Sequence, residues 1–223
     1  MGRAPIFMKR TTILLLPLLG FCLVFSCCRW LGVRGNGHVK TEQREITDFS
    51  ELQTGGTFEI DWRSGAPGLT ITTDENLLPY VESEVRDNQL RLHLRERVLP
   101  TKGLKVTISS STRTGSKLTG ASELIVHQLT GDSYAVQTTG AAEVKLDGTV
   151  DHLLADMTGA SELAAKSLQV RTAEISTTGA ASAEVSVSES LKVTITGAGE
   201  VIYHGNPSVQ KHVTGAGEVR RKD

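Results

Sequence analysis

The chain has 223 residues, 24 Lys and Arg against 25 Asp and Glu, and only 4% aromatic residues. That length suits one domain of moderate size plus a targeting segment. A near-neutral balance excludes the basic patch that nucleic-acid binding requires, and Cys22, Cys27 and Cys28, all near the start, leave no disulfide, thiolate metal site or cysteine nucleophile for the rest.

Residues 1–26 read as a signal peptide. Arg3, Lys9 and Arg10 form a basic start, Met8 offers a second initiator, and Ile13 to Phe25 is an apolar run broken by Pro17 and Gly20. The run falls short of the about 20 apolar residues that span a bilayer. Val24-Phe25-Ser26-Cys27 resembles a bacterial lipobox, apart from the bulky Phe25, so Cys27 is expected to carry a lipid. Removing residues 1–26 leaves 21 Lys and Arg against 25 Asp and Glu, a balance of −4. Residues 27–45 are polar from Arg29 onward, with three glycines and no periodicity, and are expected to form a flexible tether.

From residue 46 the chain alternates. ELQTGGTFEIDW (51–62), LTITT (69–73), QLRLHLRE (89–96) and LKVTISSS (104–111) read as strands, and 73–85 as room for one short helical turn before Pro79. These are expected to be irregular early coils of the same domain.

A repeat then takes over. Anchored on Thr119, Thr139, Thr158, Thr178, Thr196 and Thr214, a Thr-Gly-Ala phrase recurs at spacings of 20, 19, 20, 18 and 18 residues. Such a period marks a solenoid, in which each unit stacks on its neighbours. The position before Thr is mostly apolar (Leu118, Thr138, Met157, Thr177, Ile195, Val213). The one before that is polar and variable (Lys117, Gln137, Asp156, Ser176, Thr194, His212). Neighbouring columns of opposite character mean strands. The leucine-rich repeat lacks its Leu and Asn ladder here, and the calcium-binding nonapeptide lacks its Asp. The expected fold is an all-β, single-stranded parallel β-helix of about 18–20 residues per coil, right-handed because such crossovers are. Gly120, Gly140, Gly159, Gly179, Gly197 and Gly215 are expected corners, with the following alanines fitting where the turn closes on the core.

Four residues after Thr stands an acid: Glu123, Glu143, Glu162, Glu200 and Glu218. The fourth copy, TGAASAEV, reads as carrying two extra residues, which makes Glu184 its acid. Stacked carboxylates repel and could attract cations, but calcium needs several oxygens at about 2.3–2.6 Å, so a single acidic column is expected to be a surface ladder holding no metal. Lys145, Lys166, Arg220 and Arg221 are at hand to neutralise it.

The opening ITDF (46–49), then GTFEIDW, then TTDENLLPYVESEVRDNQLRLHL, then the train of Thr-Gly-Ala-x-Glu phrases, resemble the head GIN domain family of auto-transporter adhesins over about residues 44–221. The resemblance implies a β-helix in an envelope protein of the Bacteroidetes type and brings no catalytic residue or cofactor with it. The expected function is therefore a non-catalytic cell-envelope binding or scaffold module, lipid-anchored to the outer membrane, with a glycan or protein ligand and room for homo-oligomers. The competing reading is a carbohydrate-active β-helix enzyme. It asks for two carboxylates in different environments, whereas the ladder glutamates are near-equivalent. No His pair at i,i+4 spacing suggests a metal, and the serines of the corners fit no Ser-His-Asp set.

Overall fold

The computed structural model describes residue 2 and residues 32–222. The expected signal peptide and Cys27 lie outside the described residues. No helix among those described is long and apolar enough to cross a membrane.

Alternation of apolar and polar residues makes this chain a succession of strands. Ten precede the regular stack: β1 (Val33–Arg34), β2 (Val39–Arg44), β3 (Glu51–Gly56), β4 (Glu59–Ser64), β5 (Gly68–Asp74), β6 (Val81–Arg86), β7 (Gln89–Leu94), β8 (Val98–Leu99), β9 (Lys105–Ser110) and β10 (Gly115–Gly120). Long, bent strands then make whole coils: β11 (Glu123–Gly140), β12 (Glu143–Gly159), β13 (Glu162–Gly179) and β14 (Ser182–Gly197). The last coils are shorter: β15 (Glu200–His204), β16 (Ser208–Gly215) and β17 (Glu218–Arg221). Each of β11 to β13 pairs in parallel with the next, so the body is a parallel β-solenoid.

Inward columns form the core. One runs Val136, Ala155, Ile175, Val193, another Leu124, Val144, Leu163, Ala183, Val201, and all are buried. Branched and small aliphatics suit these ladders because side chains of stacked coils meet directly along the axis. At the first coils the interior holds aromatics: Phe49 stacks on Trp62 at 5.5 Å, and Tyr134 meets Trp62 edge-on at 6.5 Å.

The early half departs from the expectation of irregular coils. Two coils are present: β3 with β4, and β7 with β9, which pair in parallel with them. Apart from a short parallel β1–β8 pair, the rest is antiparallel. β6 folds back on β7, β5 on β9, and β2 on β5, covering the sheet edges at this end. Stack order also differs from chain order, since the β3–β4 coil lies between β7–β9 and the later β10–β11. The helical element is a 3-10 turn, Glu75–Tyr80, with Pro79 inside it.

The expected tether needs a second correction. β1 pairs with β8 and β2 with β5, so residues 33–44 belong to the folded body. Buried Asp74 pins the segment, accepting the Gly37 amide (2.6 Å) and the Thr101 amide and hydroxyl (2.8 Å each). These bonds hold its carboxyl below the usual range, the Thr101 amide most of all. β2 is an edge strand exposed or half-exposed along its length, so it carries no apolar alternation to betray it.

Candidate functional site

The corner phrases stack into one ridge. Each corner glycine has a positive φ, +116° at Gly140 and +108° at Gly159. A Cβ built on Gly159 would lie 2.3 Å from the Gly140 carbonyl oxygen. The reason is a ladder of hydrogen bonds through the turn: the Ala160 amide donates to the Gly140 carbonyl at 2.8 Å, and Ala141 to Gly120 at 2.9 Å. Two demands, left-handed backbone and close approach, thus fall on one atomless side chain.

The ladder has one more rung than the repeat spacing reveals. Gly56 pairs with Gly120, and its carbonyl accepts the Ala121 amide at 3.0 Å. It escapes the sequence pattern because 64 residues separate it from Gly120 and because Thr57 and Phe58 replace the alanine and its small neighbour. Similarly, the alanines after the glycines do not close on the core: Ala121, Ala141, Ala160, Ala180, Ala198 and Ala216 lie on the outside of the corner, none of them buried. The next residue is the inward one, and it is buried at Phe58, Ser122, Ala142, Ser161, Ala181 and Gly199. An alternation that continues through the turn explains this, since the corner does not reset the faces. The six threonines stand exposed beside the alanines, in unbroken register.

The acidic column is Glu59, Glu123, Glu143, Glu162, Ser182, Glu200 and Glu218. Glu184 is not a member. Register pairs Ser182 with Glu162 and Glu200, and Glu184 with Ala164 and Ile202. The fourth corner has no inserted residues; Ser simply replaces Glu. Cations two positions on neutralise part of the column. Lys145 bridges Glu123 (2.9 Å) and Glu143 (2.7 Å), and Arg220 meets Glu200 at 2.6 Å. Hydrogen bonds to Glu123 and Glu143 push the Lys145 ammonium well above its ordinary range. Glu184 instead accepts from His204 at 2.7 Å, which lowers its carboxyl.

Three other histidines have separate partners. His93 meets Glu82 at 2.6 Å, His127 meets Asp147 at 3.1 Å, and His152 meets Thr172 at 2.5 Å. Among the described residues, no three His, Cys, Asp or Glu side chains are disposed to hold a metal ion.

One groove, of about 490 Å³, opens where the ridge begins, between corner Gly55–Glu59 and the chain from Leu94 to Leu104. Phe58, Leu94, Val98 and Leu104 line it, with Glu59, Glu96 and Arg97 among its polar residues. It exists because the β7-to-β9 connection swings outward to pair β8 with β1 instead of turning tightly. The sequence hint is its length: ten residues, 95–104, stand where later coils turn in two.

A family profile described as "Putative auto-transporter adhesin, head GIN domain" matches residues 48–207. The chain belongs to this family. Solved structures with the same fold include a "putative adhesin" of Bacteroides fragilis, 21% identical over 86% of this chain and 100% of that one, with a TM-score of 0.71. A "putative adhesin" of Parabacteroides merdae is 24% identical over 86% of this chain and 99% of that one, with a TM-score of 0.57. A "putative lipid binding protein" of Parabacteroides distasonis is 21% identical over 86% of this chain and 100% of that one, with a TM-score of 0.59. Among curated proteins there is no match.

Proposed function

We propose that this head GIN domain protein is a non-catalytic binding and scaffold module of the bacterial cell envelope, exported and tethered to the outer membrane by lipid on Cys27. One observation carries the reading: the outward letters written identically in the six repeat coils, Thr and Ala, form a continuous outer ridge rather than lining a cleft. A repeated flat surface suits an extended ligand such as an envelope glycan or protein, engaged at many weak, equal points. The acids beside the ridge are near-equivalent and partly tied to Lys145 and Arg220, so they offer no acid and base of distinct character. The lipobox-like Val24-Phe25-Ser26-Cys27 supports the anchoring.

A glycan array followed by product analysis tests the first half. Retention without turnover is the expected result. Cleaved oligosaccharide, lost when Glu59 and Glu96 at the groove become Gln, would overturn it. For the anchor, Cys27→Ser is expected to release the protein from membranes or leave an uncut precursor; unchanged processing and retention would refute lipid on Cys27.

A further inference from the structure

The corner ridge is held by one hydrogen bond per rung, and its first rung lacks it. At all six repeat corners the alanine amide donates to the glycine carbonyl of the coil before it in the stack, as Ala121 does to Gly56 at 3.0 Å. The pairing of β3 with β7 stops at Gly55 and His93, so the corresponding step, Gly56 against Leu94, is not made. A Cβ built on Gly120, Gly140 or Gly159 would meet a backbone carbonyl oxygen at 2.3–2.5 Å, whereas on Gly56 it would meet the Leu94 side chain at 3.1 Å. The Thr57 amide is thereby left with no acceptor among the described residues, in the lining of the groove of about 490 Å³.

The lining around that amide is apolar. Phe58 and Leu104 are buried, and Leu94, Val98, Leu99 and Pro100 are half-buried. The excursion that forms the far wall, residues 95–104, carries Arg95, Arg97 and Lys102 against Glu96, three cations against one acid. Glu82 holds Arg95 at 2.5 Å, but Arg97, the cation of the lining, has no acidic partner among the described residues. Glu59, the other acid of the lining, stands 3.9 Å from the Lys105 ammonium.

An unmet backbone donor and an unpaired guanidinium beside an aliphatic hollow ask for a ligand with an anionic, oxygen-bearing head and an apolar tail. A carboxylate has one oxygen for each donor, and such charge-assisted bonds are the strong ones. The tail would take the aliphatic lining out of water. An added peptide strand suits the groove less well. The carbonyls of Arg97 and Leu99 are turned toward β1, so the other edge of β8 offers Val98 and then Pro100, which has no N–H to give a ladder.

We propose that this groove binds a long-chain fatty acid, its carboxylate shared between the Thr57 amide and Arg97 and its chain laid on Phe58, Leu94, Val98 and Leu104. The volume falls within the range of about 300–1,000 Å³ usual for small-ligand sites. The site stands independently of any ligand on the Thr and Ala ridge.

Photolabelling tests the assignment. The full chain in non-ionic detergent is irradiated with a diazirine-bearing palmitate, and labelled peptides are identified by mass spectrometry. Label is expected within residues 55–59 and 94–104, displaced by excess palmitate but not by hexadecanol, which has no carboxylate. Arg97 is exposed, so Arg97→Gln is expected to keep its β-sheet circular dichroism while losing about tenfold of that label. Lys102→Gln, outside the lining, is expected to label as the wild type does. Label confined to the apolar N-terminal run would overturn the proposal, as would full labelling of a folded Arg97→Gln variant. Equal displacement by hexadecanol would overturn it on the wild type alone, and displacement by a short peptide ending in Leu better than by palmitate would give the groove to a peptide instead.

Discussion

Gly159→Ala isolates what the corner ridge requires. The added Cβ would sit 2.3 Å from the Gly140 carbonyl oxygen and 3.1 Å from the Gly140 amide nitrogen, both backbone atoms that cannot swing away. A φ of +108° adds strain of about 1–3 kcal/mol for a residue with a side chain. Relieving the overlap lengthens the Ala160-to-Gly140 hydrogen bond, now 2.8 Å, at a further cost of about 1 kcal/mol. The expected loss is roughly 2–4 kcal/mol, a large share of the total stability of an ordinary domain. Two other glycines separate the terms. Gly131 has φ +138° but open space around it, so Gly131→Ala shows strain alone, about 1–3 kcal/mol. Gly55 has open space and no left-handed φ, so Gly55→Ala is expected within about 0.5 kcal/mol of wild type. Guanidinium unfolding monitored by circular dichroism reads all three. Equal midpoints for Gly159→Ala and Gly55→Ala would refute the corner argument.

Replacing Glu143 and Glu162 together by Gln is expected to change stability by less than about 1 kcal/mol, because the Lys145 pair is exposed and such pairs contribute little. Calorimetry of the same protein with calcium is expected to show no saturable site in wild type or variant; a micromolar site lost in the variant would make the ladder a ligand set. The carboxyls of Asp48, Asp61, Asp74, Glu75, Glu82 and Glu184 are all held below their ordinary values, chiefly by hydrogen bonds. Folding therefore gains from them fully above about pH 5, past their unfolded values, and loses that gain progressively as pH falls through their lowered folded values, so unfolding midpoints should hold above about pH 5 and decline below it. Asp74→Asn is expected to raise hydrogen exchange in residues 33–44 while leaving the later coils protected; unchanged exchange there would show that Asp74 does not pin the segment.

The fold was legible from Thr119 onward because one phrase repeats at nearly constant spacing, and adjacent columns of opposite character allow only strands. What escaped has specific causes. Gly56 and Glu59 belong to the ridge, but the chain inserts a second coil and the antiparallel cover before returning, so no period connects them to Gly120. Ser182 was hidden by a nearby glutamate two residues on, since sequence spacing alone cannot separate a substitution from an insertion. The outward alanines and the buried residues after them result from alternation across the corner, which a turn motif read in isolation does not carry. After Val39, β2 is polar and exposed or half-exposed along its length, and only its partner β5 identifies it as a strand. The groove arises from a ten-residue excursion whose length was visible but whose pairing with β1 was not.

The threading of β3–β4 between two coils that come later in sequence bears on how the molecule assembles. A chain emerging amino end first presents Glu51–Ser64 before either neighbour exists. That coil can gain its partners only after residues 89–126 have arrived, so the first nucleus closes a long loop and carries much of the chain's topological cost. Later coils face no such delay. Each of β12, β13 and β14 needs only the surface of the coil just laid down, so the rest can propagate one rung at a time. Initiation and elongation thus fall on different halves of one polypeptide, with rates set by different residues.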